Sequence, residues 1–248
     1  MTVSCNKLLD INPKQSIDSS VALSSQEGID AALTSVYSRL QNYTLYGRDI
    51  LALSEALSDN AIHTGNSSHL IGESTNNRNA HFYAINQANL IIDALESGSF
   101  DENWKANILG QAHFLRALIY HDLVRAYSYD PTANIPEYNY GGVPLMLVGV
   151  NDISKIGSLK RPSVDDVYNQ IYKDLDQAHN FLSSNNNTSI HLATKAAVSA
   201  LYSRVALYRG DYEKCISMSD RAISESVAIQ LHCCLIGGKK STQSLYSN

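Results

Sequence analysis

Four side chains able to hold a metal, His63, His69, Glu73 and His81, lie close together, and His69 and Glu73 have the i,i+4 spacing of ligands on one helical face. A metal site needs three converging ligands, and the Ser, Asn and Gly residues around these offer no rigid frame, so they are read as solvated loop side chains. A second group, His113, Arg116, His121 and Asp122, shares one long apolar-patterned stretch. Arg116 and Asp122 are six positions apart and do not face each other on a helix, so buried hydrogen bonding is expected here rather than catalysis. Asp165 and Asp166 pair two carboxylates, but they stand where a helix begins and its dipole favours negative charge. No GxSxG, HExxH, P-loop or Gly-rich dinucleotide motif occurs. The four cysteines, Cys5, Cys215, Cys233 and Cys234, show no CxxC or Cys/His spacing, so neither a disulfide framework nor a zinc site is indicated. No catalytic group, cofactor or metal is expected.

The elements that position these groups follow from composition and periodicity. The 248 residues are 44% hydrophobic and 17% charged, enough apolar side chains for one or two globular domains with a sizeable core. A net charge of -5, with no cluster of Lys and Arg, argues against a nucleic-acid partner. No apolar run is long enough to span a bilayer as a helix. Tyrosine supplies fifteen of the twenty aromatic side chains, which suits half-exposed faces where a ring packs while its hydroxyl stays wet.

Residues 1–25 are polar and aperiodic and read as an extended leader. Helical spacing then takes over: Ile29, Leu33, Val36, Tyr37 and Leu40 form one stripe after the cap candidates Ser24 and Ser25. A short helix is predicted over Leu51 to Leu57, and residues 59–76, rich in Asn, Ser and Gly, are predicted as a long loop. Phe82, Ile85, Asn89, Ile92 and Leu95 mark the next helix. The longest follows, capped by Asp101, with Trp104, Ile108, Ala112, Leu115, Leu118, Ile119, Leu123 and Ala126 as its core side. Residues 128–162 carry turn chemistry, with a short apolar stretch from Val143 to Val150 as the one strand-like piece. Ser163 and Asp166 have capping-box spacing ahead of Val164, Val167, Ile171, Leu175, Ala178 and Leu182. Ala197, Leu201, Val205 and Tyr208 make another helix, ended by Gly210, and Asp211 caps a partner through Cys215, Met218, Ala222 and Ile223. That pair has tetratricopeptide-like spacing, although Ser199, Tyr202 and Ser203 depart from the usual choices. The predicted class is all-α, a tetratricopeptide-like helical repeat in which antiparallel pairs stack to bury their shared faces.

Several segments taken in order resemble the SusD/RagB family. They are Cys5-Asn6-Lys7-Leu8-Leu9-Asp10, Ala112-His113-Phe114-Leu115-Arg116-Ala117-Leu118-Ile119-Tyr120 with Leu123, Val124 and Tyr127, and Gly141-Gly142-Val143-Pro144-Leu145. Arg161-Pro162-Ser163-Val164 with Val167-Tyr168, Ile171 and Asp174-Leu175, then Lys195-Ala196-Ala197 with Leu207-Tyr208 and Gly210-Asp211-Tyr212, complete the series. The resemblance runs from residue 5 to about 226, roughly the N-terminal half of a family member. It implies a right-handed stack of helix pairs and non-enzymatic binding of a glycan or other nutrient at the outer membrane. It also implies a SusC-like TonB-dependent transporter as partner, and lipid anchoring through a diacylated Cys5, preceded by the small Ser4. At about 0.8 kcal/mol per buried methylene, two or three acyl chains would hold such a protein firmly. The signal peptide of a lipoprotein is missing from this chain, so Met1 is expected to lie inside or beyond one.

In the family the ligand site is built from loops, one of which corresponds to residues 59–78. Asp59, Asn60, His63, Asn66, Asn76, Asn77 and Arg78 are therefore the ligand-binding candidates, with no Trp or Tyr among them before Tyr83. Trp104 sits on an amphipathic stretch and is assigned to the core. The expected domains are the leader over 1–25, the helical domain over 26–226 and an aberrant tail over 227–248. The tail loses helical periodicity, and a frame shifted by two bases permits a family-like string with a tryptophan in place of Leu231 to Asn248, so a frameshifted, truncated product is expected. The rival reading is a cytoplasmic tetratricopeptide adaptor that binds a protein or peptide.

Overall fold

The computed structural model describes residues 19–58, 60, 67–133, 135–152, 157–183 and 191–226. These form helices α1 (Ser19–Ala22), α2 (Gln26–Leu40), α3 (Asp49–Leu57), α4 (Ser67–Ser97), α5 (Glu102–Tyr127), α6 (Val164–Phe181), α7 (Lys195–Arg209) and α8 (Tyr212–Glu225), plus a 3-10 turn at Pro136–Tyr138. No strand occurs among the described residues, so the class is all-α.

Each helix start anticipated from local chemistry is present. Ser25 Oγ accepts from the Gly28 amide at 3.1 Å, and Asp101 accepts from Trp104 at 2.9 Å. Ser163 Oγ accepts from Asp166 N at 3.0 Å while the Asp166 carboxylate accepts from Ser163 N at 3.2 Å, a complete capping box. Asp211 accepts from Lys214 N at 3.2 Å. Between α7 and α8 the chain reverses through Gly210 at φ 80°, a left-handed conformation in which a side chain would be strained.

Helix α5 lies at the centre, packed on α4 and α6, and α6 passes the stack on to the α7–α8 pair. The whole predicted stripe of α6, from Val164 to Leu182, is buried, as are Ile29, Leu33 and Val36 of α2 and Ile108, Ala112, Leu115, Ile119 and Leu123 of α5. Across the α7–α8 seam, Ser203 Oγ donates to Cys215 O at 3.0 Å and lies 2.6 Å from Ser219 Oγ, while Ser199 Oγ donates to Glu225 Oε2 at 2.7 Å. Ser199 and Ser203, which depart from the usual tetratricopeptide choices, thus bond across the close approach through their hydroxyls.

The structure corrects several expectations. Residues 67–76 are not loop: α4 starts at Ser67. Tertiary bonds outweigh weak helix propensity here, since the Tyr127 hydroxyl lies 2.8 Å from both Ser74 O and Asn77 Oδ1, and Asn77 Nδ2 donates to Thr44 O at 2.6 Å. The leader is not extended over Ser19–Ala22, which form a helical turn. Tyr208 and Ile223 are not core but 40% and 44% exposed, and Ala126 is exposed too. Trp104 is only partly buried, packing on Phe100 at the core margin with its Nε1 donating to Asp30 Oδ1 at 3.2 Å. Cys5, the rest of the leader and the tail from 227 lie outside the described residues.

Val143–Val150 pairs with no strand, and its backbone partners are side chains. The Tyr120 hydroxyl donates to Met146 O at 2.9 Å and accepts from Met146 N at 2.7 Å. Asn89 donates to Met146 O at 2.8 Å, Asn86 exchanges two bonds with Val150 at 2.7 and 2.8 Å, and Asp93 accepts from Gly149 N at 2.7 Å. Gly149 sits so close to α4 that a Cβ there would lie 2.6 Å from Leu90.

Candidate binding cleft

The polar residues of α5 divide into two groups. On the face toward α6, Arg116 donates from Nε to Asp174 Oδ2 at 2.9 Å, from Nη2 to Asp174 Oδ1 at 2.6 Å and from Nη1 to Asn89 Oδ1 at 2.8 Å. His113 Nδ1 lies 3.0 Å from the same carboxylate. Burial works against ionisation of Asp174, but the bonds from His113 and Arg116 and their charge together hold its carboxyl below the usual range. This pairing is closed to solvent and structural, as expected of His113 and Arg116.

Two turns further along, α5 reaches a cleft of about 920 Å³ between α3, α4, α5 and α7. Its walls carry Ile50, Leu51 and Leu53, the rings of Tyr46, Tyr127 and Tyr208, and the polar groups Asn77, Arg78, His81, Asp122, Arg125 and Arg204. Asp122 is the anchor of this set: it accepts from the Tyr46 hydroxyl and from Arg125 Nη2, the latter at 2.6 Å. The Arg125 guanidinium in turn lies over the Tyr208 ring at 5.3 Å. Burial and the adjacent Asp122 charge push the Tyr46 hydroxyl well above the ordinary phenol range, so it stays a donor. Arg78 and Arg204 are exposed and make no ion pair with the described residues.

Two buried histidines belong to this region, His81 in the wall itself and His121 behind it. His81 is 1% exposed and donates from Nδ1 to Asn77 O at 2.7 Å, which fixes its tautomer, and burial lowers its pKa. His121 is fully buried, edge-on to Tyr208 at 5.2 Å, with neither ring nitrogen bonded among the described residues. Burial, assisted by the charges of Arg125 and Arg204, pushes its pKa down to about 3 and keeps it neutral.

Of the ligand-binding candidates named from the sequence, Asn77 and Arg78 line the cleft, and Asp122 lines it too; His81, expected as a solvated loop side chain, is instead a buried lining residue of α4, held there by its bond to Asn77 O. Asn77 is buried with its amide engaged at both ends, by Thr44 O and the Tyr127 hydroxyl, so it props Tyr127 in place. Asn60 and Asn76 are exposed and do not line it, while Asp59, His63 and Asn66 lie outside the described residues. The side chains of His69 and Glu73 are likewise not described, and no metal-competent group of three ligands occurs among the described residues. Tyr46, Asp122, Arg125, Arg204 and Tyr208 escaped the sequence reading as cleft residues. The available signal was Arg204 and Tyr208 four apart on α7, a face too polar for core and too aromatic for plain solvent exposure.

A family model described as SusD-like, starch-binding associating with outer membrane, matches residues 7–207. SusD-like protein P2 of Formosa agariphila is 30% identical over 148 residues, which is 60% of this chain and 25% of that protein. A SusD superfamily protein of Bacteroides thetaiotaomicron superposes with a TM-score of 0.66 at 22% identity, covering 79% of this chain and 45% of its own. A laminarin-binding SusD-like protein superposes at 0.62 with 21% identity, covering 81% and 44%. The chain thus spans a quarter of the curated relative and under half of these solved structures. With four-fifths of its length matched by one family model and the same helical architecture in solved relatives, this chain belongs to the SusD-like family.

Proposed function

We propose that this chain provides a glycan-binding surface of a SusD-like protein held at the outer membrane through a diacylated Cys5, with residues 26–226 as the helical binding domain. It captures saccharide without transforming it and hands it to a SusC-like TonB-dependent transporter. The observation that carries the binding part is the open cleft between α3, α4, α5 and α7, where tyrosine rings stand beside guanidinium and amide groups. Sugars present C–H faces to aromatic rings and hydroxyls to such polar groups, so both halves of a saccharide find partners there. Glycoside hydrolysis commonly uses two carboxyl groups flanking the bond. Asp122 is the one carboxylate among the described lining residues, and it is committed to Tyr46 and Arg125. The family description and a laminarin-binding relative support a glycan as ligand.

Calorimetric titration of the purified chain against laminarin, starch oligosaccharides and a panel of other glycans tests the reading. Saturable binding without release of reducing ends is expected; a folded protein that binds none of them, or that cleaves one, would sink it. Mass spectrometry of native material tests the anchor, an unmodified Cys5 being the contrary result.

A further inference from the structure

We propose that the cleft takes an acidic saccharide, whose carboxylate or sulfate is gripped by Arg78 and Arg204 while its sugar faces rest on Tyr46, Tyr127 and Tyr208. The proposal rests on reading the cleft as a saccharide site and names the class of saccharide.

The charge census of the wall leads there. Arg78 from α4, Arg125 from α5 and Arg204 from α7 reach the cleft, against the single carboxylate of Asp122 among the described lining residues. Asp122 is bonded to Arg125, which leaves two guanidinium groups on two different helices without an ion-pair partner among the described residues. Asp49, at the start of α3, is paired with Arg48 at 2.7 Å. The whole chain carries a net charge of -5, so this local excess of positive charge runs against its overall balance. Apolar residues Ile50, Leu51 and Leu53 form part of the same wall and weaken solvent screening of the charges beside them. Guanidinium matches a planar carboxylate or a sulfate face with two parallel hydrogen bonds, a fit that a neutral hydroxyl does not exploit. Arg125 serves differently: with Asp122 on one side and the Tyr208 ring beneath it, it is held in one orientation and stiffens the floor under the two free guanidiniums.

Titration calorimetry of the full chain with three probes decides the matter: trigalacturonate for carboxylates, a sulfated galactan oligosaccharide for sulfates, and laminarin as the neutral reference. At 50 mM salt at least one acidic probe is expected to bind about tenfold more tightly than laminarin, the gain of one charge-assisted hydrogen bond, with most of the advantage lost at 500 mM. Arg78→Gln and Arg204→Gln should each weaken the acidic probe about tenfold and laminarin less than about twofold, with Arg39→Gln, outside the cleft, unchanged. Circular dichroism of each variant establishes that it is folded. Which acidic probe binds identifies the anion. Laminarin bound as tightly as both acidic probes, or acidic binding indifferent to salt and to both variants, overturns the acid preference and leaves glycan capture standing. No binding of either acidic probe also overturns it, and only the failure of the neutral panel as well removes the glycan reading.

Discussion

Helix α5 builds two arginine–carboxylate pairs within three turns, and they have opposite fates. Arg116 and Asp174 are 5% and 1% exposed, with the guanidinium bonded to Asp174 and Asn89 and the carboxylate shared with His113. Arg125 and Asp122 form a bond of the same 2.6 Å length, yet they border open space and stand beside arginines that make no ion pair with the described residues. The chemical types are identical, and what differs is whether a second helix closes over them. Where α6 supplies Asp174, the pair is a rivet. Where α3 and α7 stand apart, the pair becomes the floor of a cleft.

The largest expected effect breaks the rivet. Asp174→Asn leaves the Arg116 charge buried without its counter-ion and should cost about 3–5 kcal/mol in urea unfolding. The wild-type carboxyl titrates below its unfolded value, so its contribution is complete above about pH 4 and fades as pH falls further; the variant should lack that acid limb. Next comes His121, the buried imidazole behind the cleft, which stays neutral when folded but takes up a proton when unfolded. Its burden is absent above about pH 6.5 and grows as pH falls toward its folded pKa of about 3, reaching on the order of 2 kcal/mol at pH 5. His121→Phe should therefore flatten the fall in melting temperature between pH 7 and pH 5. Tyr46→Phe removes one donor from Asp122 while Arg125 keeps its bond, so a loss of about 1 kcal/mol is expected in the same unfolding assay. Smallest of all, Arg204→Gln should shift stability by no more than about 0.5 kcal/mol, because the side chain is exposed and makes no ion pair with the described residues. A large loss from Arg204→Gln, or a negligible one from Asp174→Asn, would erase the distinction between the two pairs.

Most of the helical frame was legible because its signals are local. Ser25, Asp101, Ser163 with Asp166 and Asp211 each sit within three residues of the amide they cap, and the α6 stripe repeats at one spacing from Val164 to Leu182. The first turns of α4 were not legible, since Asn and Ser residues there favour turns on their own and become helical only with Tyr127 and Thr44 as partners from elsewhere. The cleft was legible at Asn77 and Arg78 alone. Its other polar groups include Tyr46, Asp122, Arg125, Arg204 and Tyr208, spread over α5, α7 and the connection between α2 and α3, and no periodicity links positions so far apart. The spacing of Arg116 and Asp122 tells that they do not face each other, but not what each meets, because the partners, Asp174 and Tyr46, lie far along the chain.

The segment from Met146 to Val150 is fastened through its peptide groups by Asn86, Asn89, Asp93 and Tyr120, with Met146 alone also packing against the core. Such a tether is blind to what the exposed Leu147 and Val148 are and sensitive to how many residues it holds. The exposed letters Leu147 and Val148 are therefore open to rewriting while Gly149 is not, and one inserted or deleted residue would put every peptide out of step with the side chains of α4 and α5 that grip it.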